Sequence, residues 1–124
     1  MPKDLIRHFI RGYFDGDGSF TYGVYKEKSK PNPYLKVRWD IESKTISLLQ
    51  EFQMFLLENS INTNIIHIKR DDMWRLNTAS KKECKKIYTL LYNDSNFYLS
   101  RKYNKFNHYV NTEETQFIAE FRNA

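Results

Sequence analysis

The sequence predicts an α+β fold, in which a four-stranded antiparallel sheet carries helices on one face. Two observations predict it. Apolar residues recur at helical spacing in some segments and alternate with polar residues in others, and these segments follow one another in the order α-β-β-α-β-β-α-α. At 124 residues, 40% hydrophobic and 28% charged, the chain suits one globular domain over residues 1–124.

The first predicted helix begins near Lys3 and keeps an apolar face up to Phe14. We expect it to stop at Asp15-Gly-Asp17-Gly18, because two glycines within three positions disfavour a helix. A strand follows, with Phe20, Tyr22 and Val24 on its apolar face, and the residues 26–33 form a turn.

The clearest strand covers residues 35–42. Its odd-numbered residues are apolar and its even-numbered residues are charged, as a sheet with one buried face requires. Ser43 to Thr45 then offers an N-cap for a second helix, which carries Ile46, Leu49, Phe52, Leu56 and Leu57.

A hairpin is predicted after a loop at residues 59–64. In it Ile66 and Ile68 pair with Trp74 and Leu76 across the turn 70–72, so that His67, Lys69, Arg75 and Asn77 share the opposite face. Ser80 to Glu83 has capping-box spacing and opens a third helix with Cys84, Ile87 and Leu91. Residues 93–95 end it, residues 97–110 form a fourth helix, and residues 112–121 form a short terminal one.

The charge balance favours polyanionic partners. Lys and Arg total 20 against 15 Asp and Glu, which gives a net charge of +5 and a pI near 9.3. Such a chain suits nucleic acid first and an acidic membrane surface second. Alone, this composition indicates a basic domain and no more.

Cysteine and histidine usage excludes two kinds of site. A single cysteine, Cys84, excludes an internal disulfide and a multi-cysteine zinc site, and the three histidines lack metal-ligand spacing. Met1 to Asp4 carries no apolar run of signal-peptide type, and no stretch approaches the length of a membrane span. We therefore expect an intracellular protein with no membrane partner.

The string Asp15-Gly-Asp17-Gly18 is the first candidate for chemistry. It is not an EF-hand loop, because Phe20 and Lys26 stand where that loop needs glycine and glutamate. Solvated acids beside a helix C-cap are one interpretation. Carboxylates at the negative end of a helix cost about 0.3–1 kcal/mol each, however, so a bound metal or an arginine partner is the alternative.

Small residues in the first helix indicate a packing surface. Gly12 and Gly16 are four residues apart, and His8 lies one turn earlier. This spacing lets two helices approach closely, either within the chain or between two copies of it.

Phe9 to Phe20 resembles the LAGLIDADG motif of homing endonucleases, with Ile10 to Gly18 as the nine core positions. Arg11 stands at the second position, which is small in the motif. The family fold is α-β-β-α-β-β-α, so the resemblance extends over about Leu5 to Val110.

The resemblance implies an active site. Asp17 would be the catalytic acid and metal ligand, with the carbonyl of Gly16 as a second ligand and Mg²⁺ (or Mn²⁺) as the cofactor. Lys102 would be the catalytic cation, because a cation near the phosphate stabilises the charge of the transition state. Asp15, Ser43 and Arg101 would support the active site. The motif helices would pair in a homodimer through His8, Gly12, Tyr13 and Gly16.

The polar strand faces and the first turn are the candidate DNA-binding surface. Arg and Lys suit guanine, Asn suits adenine, Asp can accept from cytosine, and lysines in the turn suit phosphates. The candidate residues are Thr21, Tyr25, Lys26, Lys28, Lys36, Arg38, Asp40, His67, Lys69, Arg75 and Asn77. A solvated sheet face is the alternative.

The resemblance thus implies a site-specific, metal-dependent endonuclease that cuts double-stranded DNA at a long pseudo-palindromic site. The chain has one motif, since Glu120 replaces the glycine in a faint second copy, and two chains are then needed to cut two strands. A non-cleaving DNA-binding regulator, an RNA maturase with the same fold, and one domain of a larger assembly are the alternatives.

Overall fold

The computed structural model describes residues 3–92 and 100–123. The elements, in chain order, are α1 (Lys3–Asp17), β1 (Ser19–Tyr25), β2 (Tyr34–Ser43), α2 (Ile46–Glu58), β3 (Asn64–Ile68), β4 (Met73–Thr78), α3 (Lys81–Tyr92), α4 (Ser100–Val110) and α5 (Glu114–Arg122). The predicted order α-β-β-α-β-β-α-α and the α+β class are confirmed, and the short terminal helix that was predicted in addition is α5. The predicted break at 93–95, and the first residues of the fourth predicted helix, lie outside the described residues.

The four strands form one antiparallel sheet in the order β1-β2-β4-β3. In β2, Leu35, Val37, Trp39 and Ile41 are buried, while Lys36 and Arg38 are exposed. The register pairs Phe20 with Trp39 and Ile41 with Leu76, so apolar residues of neighbouring strands share one face. The helices pack on that apolar face, which leaves the opposite face, called here the outer face, without helices among the described residues.

The core lies between the sheet and the helices. One side of α1 is buried, and it carries Ile6, Ile10 and Phe14, which are spaced by one helical turn. The Phe14 ring stacks on Trp39 of β2 at a centroid distance of 5.6 Å. α1 is therefore fixed along its length against the sheet, and its C-terminal end lies beside the start of β1.

α1 is longer than the sequence predicts, because it continues through Asp15 and Gly16 to Asp17. Gly18 follows and donates its N–H to the carbonyl of Phe14 at 2.8 Å. A Cβ atom at Gly18 would lie 2.3 Å from the Phe14 ring and 2.8 Å from its Cα. Glycine is thus required just after the helix, because β1 leaves α1 in close contact with its last turn.

The caps of the next helices also differ from the prediction. Thr45 makes no side-chain cap for α2, and the hydroxyl of Ser43 accepts the Thr45 N–H at 3.0 Å instead. Ser80 does cap α3 through the Glu83 N–H at 3.3 Å. The Glu83 carboxylate, however, accepts the Asn62 N–H at 2.7 Å, so only half of the capping box forms.

The predicted register of β3 is wrong by one residue. Ile66 pairs with Arg75 and Ile68 with Met73, whereas His67 pairs with Trp74 on the helix side. The strand has isoleucine at both parities, at 65 as well as at 66 and 68, so alternation alone could not select the face.

The functional consequence is that His67 leaves the outer face. Its ring lies 4.5 Å from that of Trp74, and its Nε2 lies 3.0 Å from the Asp72 carboxylate. Lys69 follows the strand and lies in the turn before β4. The prediction that both face outwards from the sheet is therefore wrong.

Candidate active site and nucleic-acid interface

The end of α1 presents two carboxylates in different surroundings. Asp17 is exposed, and Asp15 is half-buried. A separation of two residues places side chains roughly 200° apart around a helix. The helix therefore directs Asp15 towards α3 and Asp17 towards solvent.

Asp15 is held by a tyrosine that the sequence analysis missed. The hydroxyl of Tyr92, at the end of α3, donates to Asp15 Oδ1 at 2.8 Å. Burial, and then the neighbouring Asp15 carboxylate, raises the pKa of Tyr92 well above 10.0, so the hydroxyl keeps its proton and donates. This contact joins residues 77 positions apart, and no local sequence pattern points to it.

Lys102 of α4 reaches the same helix end. Its Nζ donates to the carbonyl of Phe14 at 2.9 Å and lies 5.6 Å from the centre of the Phe14 ring. Burial lowers the pKa of Lys102, and the carboxylates of Asp15, Asp17 and Asp40 oppose that shift. The predicted cation thus contacts the last turn of α1, and three acids act on its charge, two in that turn and Asp40 in β2.

Asp17 and Lys102 line one cleft of about 550 Å³. It is bounded by the last turn of α1, the start of β1 and one side of α4. Its polar lining includes Asp17, Ser19, Arg101, Lys102 and Lys105. The acid and the cations predicted from the resemblance therefore share a cavity.

The donor set at this helix end fits a hard divalent cation. The last carbonyls of a helix lack intrahelical partners, and Asp17 makes no hydrogen bond or ion pair within residues 3–92 and 100–123. Carboxylate and carbonyl oxygens are what Mg²⁺ prefers. The described part of the chain contains no cluster of three metal-binding side chains, so substrate oxygens, water or a second copy of the chain would complete the coordination.

Ser43 does not line this cleft but lies in a second cavity that Asp17 also lines. That cavity, of about 430 Å³, is lined by Tyr13, Asp17, Glu42, Ser43 and Lys44. The Ser43 side chain is buried, and its hydroxyl accepts the Thr45 N–H. The structure thus brings Ser43 near Asp17, as predicted, but with its hydroxyl already used in the turn.

The outer face carries most of the predicted DNA-binding residues of the strands. Cross-strand pairing aligns Thr21 with Arg38 and Asp40 with Asn77. The predicted DNA-binding residues on this face are Thr21, Tyr25, Lys36, Arg38, Asp40, Arg75 and Asn77. Lys26 and Lys28 are exposed in the turn at its edge.

Asp40 lies on the outer face but is only 4% exposed. Its Oδ2 atom lies 3.1 Å from Nε of Arg38. Burial raises the pKa of Asp40, while Arg38 and Arg75 oppose the rise. The sequence predicted that Asp40 accepts a hydrogen bond from cytosine, and this burial is incompatible with such a contact.

The exposed side of α1 is apolar or flat. Leu5 is 56% exposed and Phe9 is 45% exposed, and a Cβ at Gly12 or Gly16 would meet nothing within 4 Å. The sequence analysis found the glycines but missed the exposure of Leu5 and Phe9. Apolar residues at helical spacing predicted this helix, but the spacing alone does not show which of those residues are buried and which are exposed.

The other predicted interface residues border this side of α1. His8 is half-buried, and Tyr13 packs edge-on against Phe52 with its hydroxyl 3.3 Å from the carbonyl of Glu42. Arg11, the unusual residue of the motif, turns away and donates to the carbonyl of Leu91 at 3.4 Å.

Comparisons with known proteins agree with the fold described above. The family model described as a LAGLIDADG-like domain matches residues 4–92. No curated protein matches the chain. No helix in the described ranges is long and apolar enough to cross a membrane.

Several solved structures share the fold. The archaeal intron-encoded homing endonuclease I-Vdi141I, in complex with DNA, matches with a TM-score of 0.71 and 17% identity over 87% of this chain and 66% of its own. I-CvuI, in complex with the I-CreI target in the presence of Mg and with the DNA not cleaved, matches with a TM-score of 0.70 and 14% identity over 87% of this chain and 65% of its own. The present chain thus spans slightly less than two thirds of those two proteins.

A further match is the LAGLIDADG homing endonuclease I-LtrWI bound to target DNA. Its TM-score is 0.73 at 17% identity, and the match covers 98% of this chain but only 39% of that one. At these identities the structures establish the fold. The family model, which covers most of the chain, establishes the family to which the chain belongs.

Proposed function

The chain belongs to the family of LAGLIDADG-like domains, and from this premise we propose that it is a homing-type endonuclease that cuts double-stranded DNA at a specific site. The observation that carries the proposal is the cleft at the end of α1. An exposed acid that makes no hydrogen bond or ion pair within the described ranges and a partly buried lysine share it, next to an open polar sheet face.

Asp17 and the carbonyl of Gly16 are the groups that would hold the metal, Mg²⁺ or Mn²⁺. When bound, such an ion activates a water molecule for in-line attack on phosphorus and stabilises the leaving oxygen. Asp17 serves here because its carboxylate is exposed in the cleft. Asp15 supports the same turn of α1 through Tyr92.

Lys102 stabilises the negative charge that develops on the phosphate. Its Nζ is fixed by the Phe14 carbonyl and therefore needs little reorganisation when that charge appears. Arg101 lines the same cleft from an exposed position on α4 and adds positive charge near the scissile strand.

Two copies of the chain pair through the exposed side of α1. Leu5 and Phe9 supply apolar area, and Gly12 and Gly16 let the two helix backbones approach. Such a pair places two cleavage sites side by side. Its two-fold symmetry requires a pseudo-palindromic target.

The outer face receives the DNA. Lys26 and Lys28 contact phosphates, while the side chains of the strands read base edges. The protein works inside the cell, in whichever compartment holds its target.

Selection from a randomised duplex library tests the proposal. One sample is cleaved with Mg²⁺, and a parallel sample is selected by binding in Ca²⁺. We expect cut products that share a pseudo-palindrome, and a dimer by light scattering at the concentrations that bind DNA. Enrichment by binding without cutting would identify a regulator, tighter binding to structured RNA a maturase, and a DNA-bound monomer one domain of a larger assembly.

A further inference from the structure

Arg38 and Asp40 of β2 form an unusual ion pair on the outer face. The Arg38 side chain is 49% exposed, whereas that of Asp40 is 6% exposed. Two exposed partners hold one another weakly, but a buried carboxylate needs its partner to compensate for lost water. The buried carboxylate of Asp40 therefore holds the half-exposed side chain of Arg38 in position.

The register places this pair near the middle of the outer face. Asp40 lies between Ser19 of β1 and Asn77 of β4, and Arg38 lies opposite Thr21. The Nε edge of Arg38 is the edge nearest Asp40, at 3.1 Å. The contact uses Nε, so it does not occupy the two terminal amino groups, and about half of the side chain stays exposed.

A second arginine on the same face is bound differently. Arg75 directs both Nε, at 3.0 Å, and Nη2, at 2.6 Å, to a single oxygen of Glu42. Its side chain is 24% exposed, about half as much as that of Arg38. Arg38 is therefore the arginine of the outer face with the more exposed side chain.

We infer that Arg38, oriented by Asp40, selects a guanine at one fixed position of each half-site. A guanidinium presents two parallel donors, and guanine O6 and N7 are the paired acceptors that match them in the major groove. Asp40 is thus a positioning residue that acts through Arg38. This inference rests on the proposed function and specifies the base that the site requires.

Profiling the binding specificity of matched variants in Ca²⁺ tests the inference. Arg38→Gln replaces the guanidinium, and Asp40→Asn keeps the shape of the anchor but removes its charge. Arg70→Gln and Asp71→Asn are the controls, because Arg70 and Asp71 form a pair at 3.3 Å in the exposed turn after β3. Thermal melting of each variant checks folding. If Asp40→Asn is unstable, Arg38→Gln still tests whether Arg38 selects the guanine.

We expect the unmodified chain to prefer guanine at one half-site position by about tenfold or more. Arg38→Gln should abolish that preference or shift it to adenine, and Asp40→Asn should reduce it several-fold at the same position only. Both controls should retain it.

Two results would overturn this inference and leave the proposed function intact. One is an enriched site whose guanine preferences are unchanged in Arg38→Gln, and the other is an Asp40→Asn profile in which the base preference is weakened equally at every position. If the unmodified chain enriches no sequence, the proposed function fails together with this inference.

Discussion

The buried and the exposed residues of α1 differ in what they contribute. Ile10 and Phe14 are buried in the core, and the half-buried Asp15 accepts a hydrogen bond from Tyr92. Gly12 and Asp17 are both exposed. The first group gives the helix its position in the fold, while the second leaves a flat surface and a carboxylate available for partners.

This difference shows why two acids in one short motif need not have the same role. Asp15 has a protein donor at 2.8 Å and stabilises the packing of α1 on α3. Asp17 lines a cleft beside Lys102. Their different surroundings follow from the rotation of the helix between them.

The largest expected effect is at Asp17, an exposed residue of α1. Asp17→Asn should reduce the cleavage rate by roughly 1,000-fold, because loss of a metal ligand removes several kcal/mol of transition-state stabilisation. DNA binding in Ca²⁺ and the melting temperature should change little, since the side chain is exposed. Single-turnover cleavage gives the rate, and normal cutting by this variant would disprove the active-site assignment.

Gly18→Ala should destabilise the fold by about 1–3 kcal/mol, because the new methyl group would overlap Phe14. Urea denaturation measures the loss of free energy of unfolding. Gly16→Ala is the control for folding, since the same methyl group there meets nothing within 4 Å. Equal stability of Gly18→Ala and the unmodified chain would contradict the close packing of β1 against α1.

Tyr92→Phe should lower the free energy of unfolding by about 1–2 kcal/mol, because it leaves the half-buried Asp15 carboxylate without this donor. The folded-state pKa of Tyr92 is raised above its usual 10.0, so its contribution is complete below pH 10 and is lost as the pH rises further. Denaturation of both proteins at several pH values tests this. A difference that already vanishes at pH 8 would refute the role of the hydroxyl as a donor.

Gly12→Ala should have the smallest effect on the fold and the opposite sign. The position is in the middle of a helix with open space around it, so alanine should stabilise the monomer by roughly 0.5–1 kcal/mol. The same methyl group should weaken self-association. Denaturation of dilute protein together with light scattering separates the two effects, and an unchanged dimer would place the pairing surface elsewhere.

Much of this arrangement could be predicted from the sequence. In β2 each apolar residue has charged neighbours, so one face was defined without ambiguity, and the outer positions of Lys36 and Arg38 followed from it. The motif from Ile10 to Gly18 located the acid, and family resemblance located Lys102. The structure brings the acid and the lysine into one cleft.

The remainder depended on contacts that sequence patterns do not encode. The face of β3 was undetermined because isoleucine occupies both parities, so His67 was assigned to the wrong side. Alternation placed Asp40 on the correct face, but it could not show that the side chain is buried there. Tyr92 reaches Asp15 only because α3 packs against α1.

The carbonyl of Phe14 accepts both the N–H of Gly18 and the Nζ of Lys102, at 2.8 Å and 2.9 Å. The geometry of the cleft is therefore set by the backbone of a core helix, whereas in the proposed function recognition depends on side chains of the outer face. On that proposal, substitutions on the outer face change the preferred sequence while the spacing of acid and lysine stays fixed. New target sequences would then be acquired without a change in the proposed catalytic cleft.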